Sequence, residues 1–185
     1  MTPAQLHTAT IASHVSDDSP AIIFLTHGLG SSYKDWSNSL YRDSNGNWVK
    51  TSTFVYDSES IIEKIRNTTF GGIKLYVAEM TNPYGQHCFD ESKFKLKEYV
   101  LDDVEYPNTY LEAENPETSL NDFSQHIVVV LNLVGNYDET NALLYQKLDY
   151  MIDKISYDYY IAMYRLPKIN LIGHSRGGIL TWIMR

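Results

Sequence analysis

Five residues near the end of the chain have the types and the spacing that would present a reactive serine. Gly173, His174, Ser175, Arg176 and Gly177 fit the pattern G-x-S-x-G, which is typical of a sharp turn from a strand into a helix with a serine hydroxyl exposed at its apex. The turn is so tight that the positions two before and two after the serine must be small. We therefore predict that Ser175 is a nucleophile. The alternative is a glycine-rich turn with an unreactive serine.

A second motif follows an apolar run much earlier in the chain. Residues 21–26 read as a strand that is buried on both faces, as in parallel sheets, and His27-Gly28-Leu29-Gly30 comes directly after it. Glycine lets the backbone turn sharply and approach a ligand closely. In acyl-transfer enzymes a loop of this kind supplies one backbone N–H group of the oxyanion hole. We expect His27 to hold the loop rather than to act as the catalytic base.

Hydrophobic periodicity predicts the elements that must position these two motifs. Apolar runs and alternating patterns indicate strands, and apolar residues at helical spacing indicate a long amphipathic helix that Pro167 stops. The sequence therefore predicts an α/β fold with a mostly parallel sheet and flanking helices. The predicted strands are 21–26, 73–77, 127–133 and 168–172, and the predicted helices run from about 57 to 67, from about 136 to 166 and from 176 onward.

The segment from about 81 to 125 is the least regular part of the chain. Ten acidic residues and three lysines between Asp90 and Asp122 give it a charge of −7, almost all of the chain's −8. We expect a solvated acidic insertion, and the alternative is a lid over the active site. Within it, residues 93–97 alternate like a strand of a hairpin.

Composition and charge exclude several classes of function. A net charge of −8 argues against nucleic acid as the main partner. Cys88 is the only cysteine, and it lacks metal-ligand spacing with His87 and His126, so we predict no metal site and no cofactor. No apolar run is long enough to span a membrane. No signal peptide is visible at residues 1–19, which leaves the compartment open between cytoplasm and secretion after processing.

The order of the elements and the two glycine motifs resemble the first half of the α/β-hydrolase fold. Gly173-His174-Ser175-Arg176-Gly177-Gly178 after an apolar strand is similar in particular to lipase- and esterase-like members, including relatives of the glycosylphosphatidylinositol-inositol deacylases. The resemblance implies that Ser175 is the nucleophile and that the backbone N–H groups of Leu29 and Arg176 form the oxyanion hole. It also implies that His27, Gly28, Gly173, His174 and Gly177 shape the loop and the turn.

The same resemblance leaves two members of the catalytic triad unassigned. In this fold the acid and the histidine follow the serine in the chain, and only ten residues follow Ser175. We therefore expect residues 1–185 to be the N-terminal part of a single hydrolase domain that is incomplete at its C-terminus. The acid and base would then lie beyond residue 185, and the fragment alone would have little or no activity.

Three functions remain open from the sequence. The first is a lipase or carboxylesterase that acts on a small-molecule or lipid ester through an acyl-enzyme. The second is a thioesterase, acyltransferase or peptidase, because the same turn serves all of these reactions. The third is a hydrolase-like module that binds without catalysis. The oligomeric state is not predicted.

Overall fold

The computed structural model of the chain describes twelve segments that together contain nine strands and three α-helices. Most of the described residues belong to these strands and helices. The described residues are 20–28, 36, 40–42, 48–50, 54–55, 61–68, 72–80, 89–102, 109–113, 120, 123–133 and 140–183.

Seven of the described strands form one mixed sheet, and the other two form a separate antiparallel pair. The strands are β1 (Ala21–Thr26), β2 (Leu40–Arg42), β3 (Trp48–Lys50), β4 (Phe54–Val55), β5 (Ile73–Met80), β6 (Phe94–Asp102), β7 (Thr109–Glu112), β8 (His126–Asn132) and β9 (Lys168–Gly173). The sheet has the order β4-β7-β6-β5-β8-β1-β9. Strands β5, β8, β1 and β9 are parallel to one another, whereas β6, β7 and β4 extend the sheet in antiparallel pairs.

The described helices are α1 (Ile61–Thr68), α2 (Asn141–Met163) and α3 (Arg176–Ile183). Helix α2 begins after Thr140, whose side-chain oxygen accepts a hydrogen bond from the Leu143 N–H at 3.3 Å, as an N-cap does. It ends at Met163, four residues before Pro167, because Tyr164 adopts a left-handed conformation with φ of 52° and its N–H bonds the Tyr160 carbonyl. The helix therefore ends before Pro167, the residue that was predicted to end it, at a C-cap in the left-handed conformation.

The helices cover the two faces of the sheet and bury an apolar layer on each. On one face, side chains of β1, β5 and β8 such as Phe24, Tyr76 and Val129 pack against α2 and Leu180 of α3. On the other face, Ile62 of α1 packs with alternate residues of the same strands. Burial of both faces explains why the central strands are continuously apolar. The predicted α/β class is confirmed, and the central part of the sheet is parallel.

The acidic segment differs from the solvated insertion that the sequence predicted. Strands β6 and β7 belong to the main sheet, and Leu96 and Tyr99 of β6 are buried. A turn of 3-10 helix (Glu91–Lys93) leads into β6. Lys97 lies 3.3 Å from a carboxylate oxygen of Glu112 and 3.9 Å from one of Glu79, so part of the acidic charge is paired. Residues 81–88, 103–108, 114–119 and 121–122 of this segment lie outside the described residues.

No helix in the described part of the chain is long and apolar enough to cross a membrane.

Candidate active site

The sheet brings the two glycine motifs together. Strands β1 and β9 are parallel neighbours, with Thr26 opposite Gly173. His27 and Gly28 follow the end of β1, and His174 and Ser175 follow the end of β9. The carboxyl ends of parallel strands lie at the same edge of a sheet, which is where α/β folds bind ligands. The two motifs are far apart in sequence, but this pairing makes them adjacent.

Ser175 lies at the apex of the turn in a conformation that a serine rarely adopts. Its φ is +54°, and its side chain is exposed. A positive φ costs a residue with a Cβ roughly 1–2 kcal/mol, and such strain at a single residue is commonest at functional sites. Backbone hydrogen bonds hold the turn, from the His174 N–H to the Thr26 carbonyl and from the Gly177 N–H to the His174 carbonyl, both at 3.0 Å.

The two glycines of the turn are required by close approach of backbone to backbone. A Cβ on Gly173 would lie 2.5 Å from the Cα of Gly178. A Cβ on Gly177 would lie 2.5 Å from the His27 carbonyl oxygen and 2.6 Å from that of Thr26. The first turn of α3 is therefore in direct backbone contact with the ends of β1 and β9. A side chain at Gly173 would push α3 away from β9, and a side chain at Gly177 would push it away from β1.

Gly28 forms the other wall beside the serine. A Cβ at this position would lie 3.1 Å from the Ser175 Cβ and 3.1 Å from the Nδ1 of His174. The backbone after β1 thus passes next to the serine with no side chain between them. Leu29, the predicted first oxyanion donor, lies outside the described residues. The second predicted donor, Arg176, is the first residue of α3. The backbone N–H groups in the first turn of a helix point out of its N-terminal end, and that of Arg176 is one of them.

His27 is held by the backbone through both of its ring nitrogens. The Leu133 N–H donates to its Nε2 at 3.0 Å, so Nδ1 carries the proton and donates to the Gly28 carbonyl at 3.0 Å. The side chain is only 1% exposed. These bonds join the end of β1 to the end of β8. Both ring nitrogens of His27 are therefore engaged with backbone groups, and its role as a residue that holds the loop stays a prediction.

The other described histidines do not contact the serine hydroxyl. The Nδ1 of His126 accepts a hydrogen bond from the Ala21 N–H at 3.0 Å, which places it at the amino ends of the strands. His174 is exposed in the turn itself. Within the described residues, no histidine hydrogen-bonds the Ser175 hydroxyl. His7, His14 and His87 lie outside the described residues.

Three residues near the site, Asn141, Asn132 and Glu79, were missed by sequence reasoning. The Nε of Arg176 donates to the Oδ1 of Asn141 at 2.8 Å, which joins the start of α3 to the start of α2. The side-chain amide of Asn132, at the end of β8, donates to Glu79 at the end of β5, also at the carboxyl edge of the sheet. The Thr140 cap indicates that Asn141 begins a helix, but only the packing of α2 beside α3 brings it to Arg176.

The described residues contain no group of three or more His, Cys, Asp or Glu side chains that could hold a metal ion. The described residues at this edge of the sheet include an exposed serine, the adjacent backbones at Gly28 and Gly173, and the N-terminus of α3.

Comparisons with family models, with curated proteins and with solved structures found no match to this chain.

Proposed function

We propose that this chain carries the nucleophile of a serine ester hydrolase of the α/β-hydrolase type, with Ser175 attacking the ester carbonyl. The observation that carries the proposal is the φ of +54° at Ser175, on a turn between a parallel strand and a helix. This conformation is the one that the nucleophile elbow imposes. The placement of Gly28 beside the serine supports the same proposal, because an oxyanion loop must approach the nucleophile closely.

The proposed reaction has two steps. In the first step the Ser175 hydroxyl loses its proton to a general base as its oxygen bonds the carbonyl carbon, and the oxyanion of the tetrahedral intermediate accepts hydrogen bonds from the N–H groups of Leu29 and Arg176. The intermediate collapses as the ester C–O bond breaks, and the alcohol leaves with the proton that the base took from the serine. In the second step the base takes a proton from water as the water attacks the acyl-enzyme, and the serine oxygen leaves and regains that proton as the carboxylic acid is released. Each oxyanion donor is worth about 3–4 kcal/mol of transition-state stabilisation.

The general base is the part of the proposal that the described residues do not supply. Serine is weakly nucleophilic at neutral pH without an adjacent base. The ring nitrogens of His27 and His126 hydrogen-bond backbone groups. His174 lies in the turn beside Ser175 and does not hydrogen-bond its hydroxyl. The base therefore comes from outside the described residues. This observation also favours the second candidate, a hydrolase-like module that binds a ligand without turning it over.

A fluorophosphonate probe followed by intact mass measurement separates the two candidates. The probe is applied to the protein as isolated from its source, because residues 1–185 alone are expected to lack the base. We expect one covalent adduct on that protein, none on its Ser175→Ala variant, and the native adduct on Ser124→Ala, which removes another exposed serine. If the protein from its source forms no adduct while remaining folded by circular dichroism, the non-catalytic module is the better description. Chains that react are then assayed with p-nitrophenyl esters and with matched thioesters, because thioesterases and acyltransferases share the turn.

A further inference from the structure

Three polar side chains form a row across the carboxyl ends of neighbouring strands, on the face of the sheet that packs against α1. They are Glu79 of β5, Asn132 of β8 and His27, which directly follows β1. Each comes two residues after a strand residue that is buried in the apolar layer of that face, and alternate residues of a strand point to the same face. Glu79 lies opposite Asn132 in the parallel register. The row therefore lies at the edge of the sheet that carries Ser175.

Hydrogen bonds join this row to the loop that follows β1. The side-chain amide of Asn132 donates to the Oε1 of Glu79 at 2.9 Å. The next N–H along the chain, that of Leu133, donates to the Nε2 of His27 at 3.0 Å. The Nδ1 of the same ring, which carries the proton, donates to the Gly28 carbonyl at 3.0 Å. The end of β8 is thus tied to β5 on one side and, through the histidine, to the loop after β1 on the other.

These polar groups are buried at the end of a layer that is otherwise apolar. Asn132 is 6% exposed, and the side chain of Glu79 is 15% exposed. A buried amide or carboxylate costs free energy unless it is hydrogen-bonded or paired. The Nζ of Lys97 lies 3.9 Å from the other oxygen of Glu79 and offsets its charge. An apolar pair would fill the same space without that cost, so the two residues are better explained by the position in which their hydrogen bond holds the end of β8.

The last bond of the row sets the direction of a backbone N–H group. A peptide unit is planar, and in its trans form the C=O and the N–H point in opposite directions. The Gly28 carbonyl bonds the buried ring of His27, so the N–H of the same peptide, that of Leu29, is directed away from the ring. This N–H is the predicted oxyanion donor of the loop, and a Cβ on Gly28 would lie 3.1 Å from the Ser175 Cβ. A donor stabilises the transition state only when it is aimed at the oxyanion.

We propose that Asn132 and Glu79 are positioning residues for the oxyanion hole. The hydrogen bond between their side chains holds the end of β8 where the following N–H, that of Leu133, meets the Nε2 of His27. This contact keeps the proton on Nδ1, and the Nδ1–H orients the predicted oxyanion peptide. Without it the proton moves to Nε2, and the Gly28 carbonyl loses its donor. The inference rests on the proposed function, because an oxyanion hole acts only with the serine nucleophile beside it.

The test uses the whole protein as its source makes it and measures kcat and KM on p-nitrophenyl acetate. Asn132→Leu removes the amide at nearly constant volume, and Glu79→Leu removes the acceptor. For each we expect kcat to fall roughly tenfold to a hundredfold, less than the loss of a whole oxyanion donor, with KM nearly unchanged, because the interaction is made in the transition state. The control is Glu98→Leu, which alters another lysine-paired carboxylate, 19% exposed and 3.6 Å from Lys74. It should leave both constants unchanged.

A reversed pair separates positioning from packing. In Asn132→Asp alone two carboxylates face each other, and kcat should fall as it does in Asn132→Leu. Glu79→Gln alone keeps an acceptor, the amide oxygen, and should retain the native kcat. The double variant with both of these changes restores the hydrogen bond with its donor and acceptor exchanged. Its kcat should therefore return to near the native value.

The nitrogen-15 resonances of the His27 ring report its tautomer whether or not the protein is active. We expect the proton on Nδ1 in the native protein and in the double variant, and at least partly on Nε2 in Asn132→Leu. An active native protein whose folded Asn132→Leu variant keeps the native tautomer or the native kcat would overturn this inference alone. If Asn132→Leu does not fold, failure of the double variant to restore the kcat lost in Asn132→Asp has the same meaning. A native protein that neither turns over esters nor forms an adduct at Ser175 refutes the proposed function and this inference with it.

Discussion

The contact between α3 and the end of β1 leaves no room for a side chain at Gly177. In Gly177→Ala the new Cβ would lie 2.5 Å from the His27 carbonyl oxygen and 2.6 Å from the Thr26 carbonyl oxygen. Ordinary carbon–oxygen contacts are about 3.3–3.6 Å, so the shortfall is about 1 Å against two backbone groups. Backbone carbonyls cannot rotate away as a side chain does. The start of α3 must therefore move away from β1.

We expect this displacement to cost about 3 kcal/mol of unfolding free energy, at the upper end of the usual cost of overpacking. For a chain of this length that lowers the melting temperature by roughly 6–12 °C. Gly72→Ala is the matched control, since Gly72 has a φ of +84° but the nearest atom to its added Cβ is 4.0 Å away. It should cost only about 1 kcal/mol, from the backbone conformation.

Thermal unfolding followed by circular dichroism measures both variants, and the rate of fluorophosphonate labelling reports the position of the serine. Gly177→Ala should label more slowly than Gly72→Ala, because the movement of α3 carries Ser175 away from Gly28. A melting temperature for Gly177→Ala that equals that of Gly72→Ala would refute the argument from close approach. Equal labelling rates would show that the turn is not displaced.

Three further predictions concern stability. Tyr164→Gly should raise the unfolding free energy by about 1 kcal/mol, because Tyr164 caps α2 at a φ of 52° that glycine adopts without strain; a lower urea midpoint for the variant would contradict this. His27→Ala should lower it by about 3 kcal/mol, since the buried N–H of Leu133 loses its acceptor; an unchanged melting temperature would show that the histidine does not join β1 to β8. The hydrogen bonds from Arg66 to Glu63 lower the pKa of that carboxyl in the folded chain, so their contribution is complete above the unfolded pKa of about 4.3 and is lost as the pH falls through the lower folded value. Urea midpoints from about pH 6 to about pH 3 should therefore fall more steeply for the native chain than for Glu63→Gln, and parallel curves would exclude this linkage.

Much of the fold could be predicted because its elements depend on local patterns. The continuous apolar run before His27 and the run before Gly173 required burial on both faces, and both are strands of the parallel part of the sheet. The helical spacing from Leu144 to Tyr159 required one buried face, and α2 buries those positions. The boundary of α2 was less predictable, because the left-handed cap at Tyr164 carries no sequence signal of its own.

The acidic segment shows where local patterns were insufficient. Its charge and prolines indicated a solvated insertion, but the alternation from Phe94 onward is that of a strand with one buried face. Whether such a strand stands alone or joins a sheet depends on a partner edge, and β5 supplies that edge through pairs such as Met80 with Phe94. Once β6 is in the sheet, Lys97 is placed between Glu79 and Glu112, a pairing that sequence separation conceals.

The sequence by itself determined which residues had to be glycine, which serine was exposed at a turn, and which strands were buried on both faces, because these depend on side-chain size and local hydrophobic pattern. Only the tertiary structure decided what those residues meet. The neighbour relation of β1 and β9 places Gly28 beside Ser175, and the neighbour relation of β1 and β8 brings the Leu133 N–H to the Nε2 of His27. Strand order is a long-range property set by the packing of the whole sheet, and no local pattern encodes it.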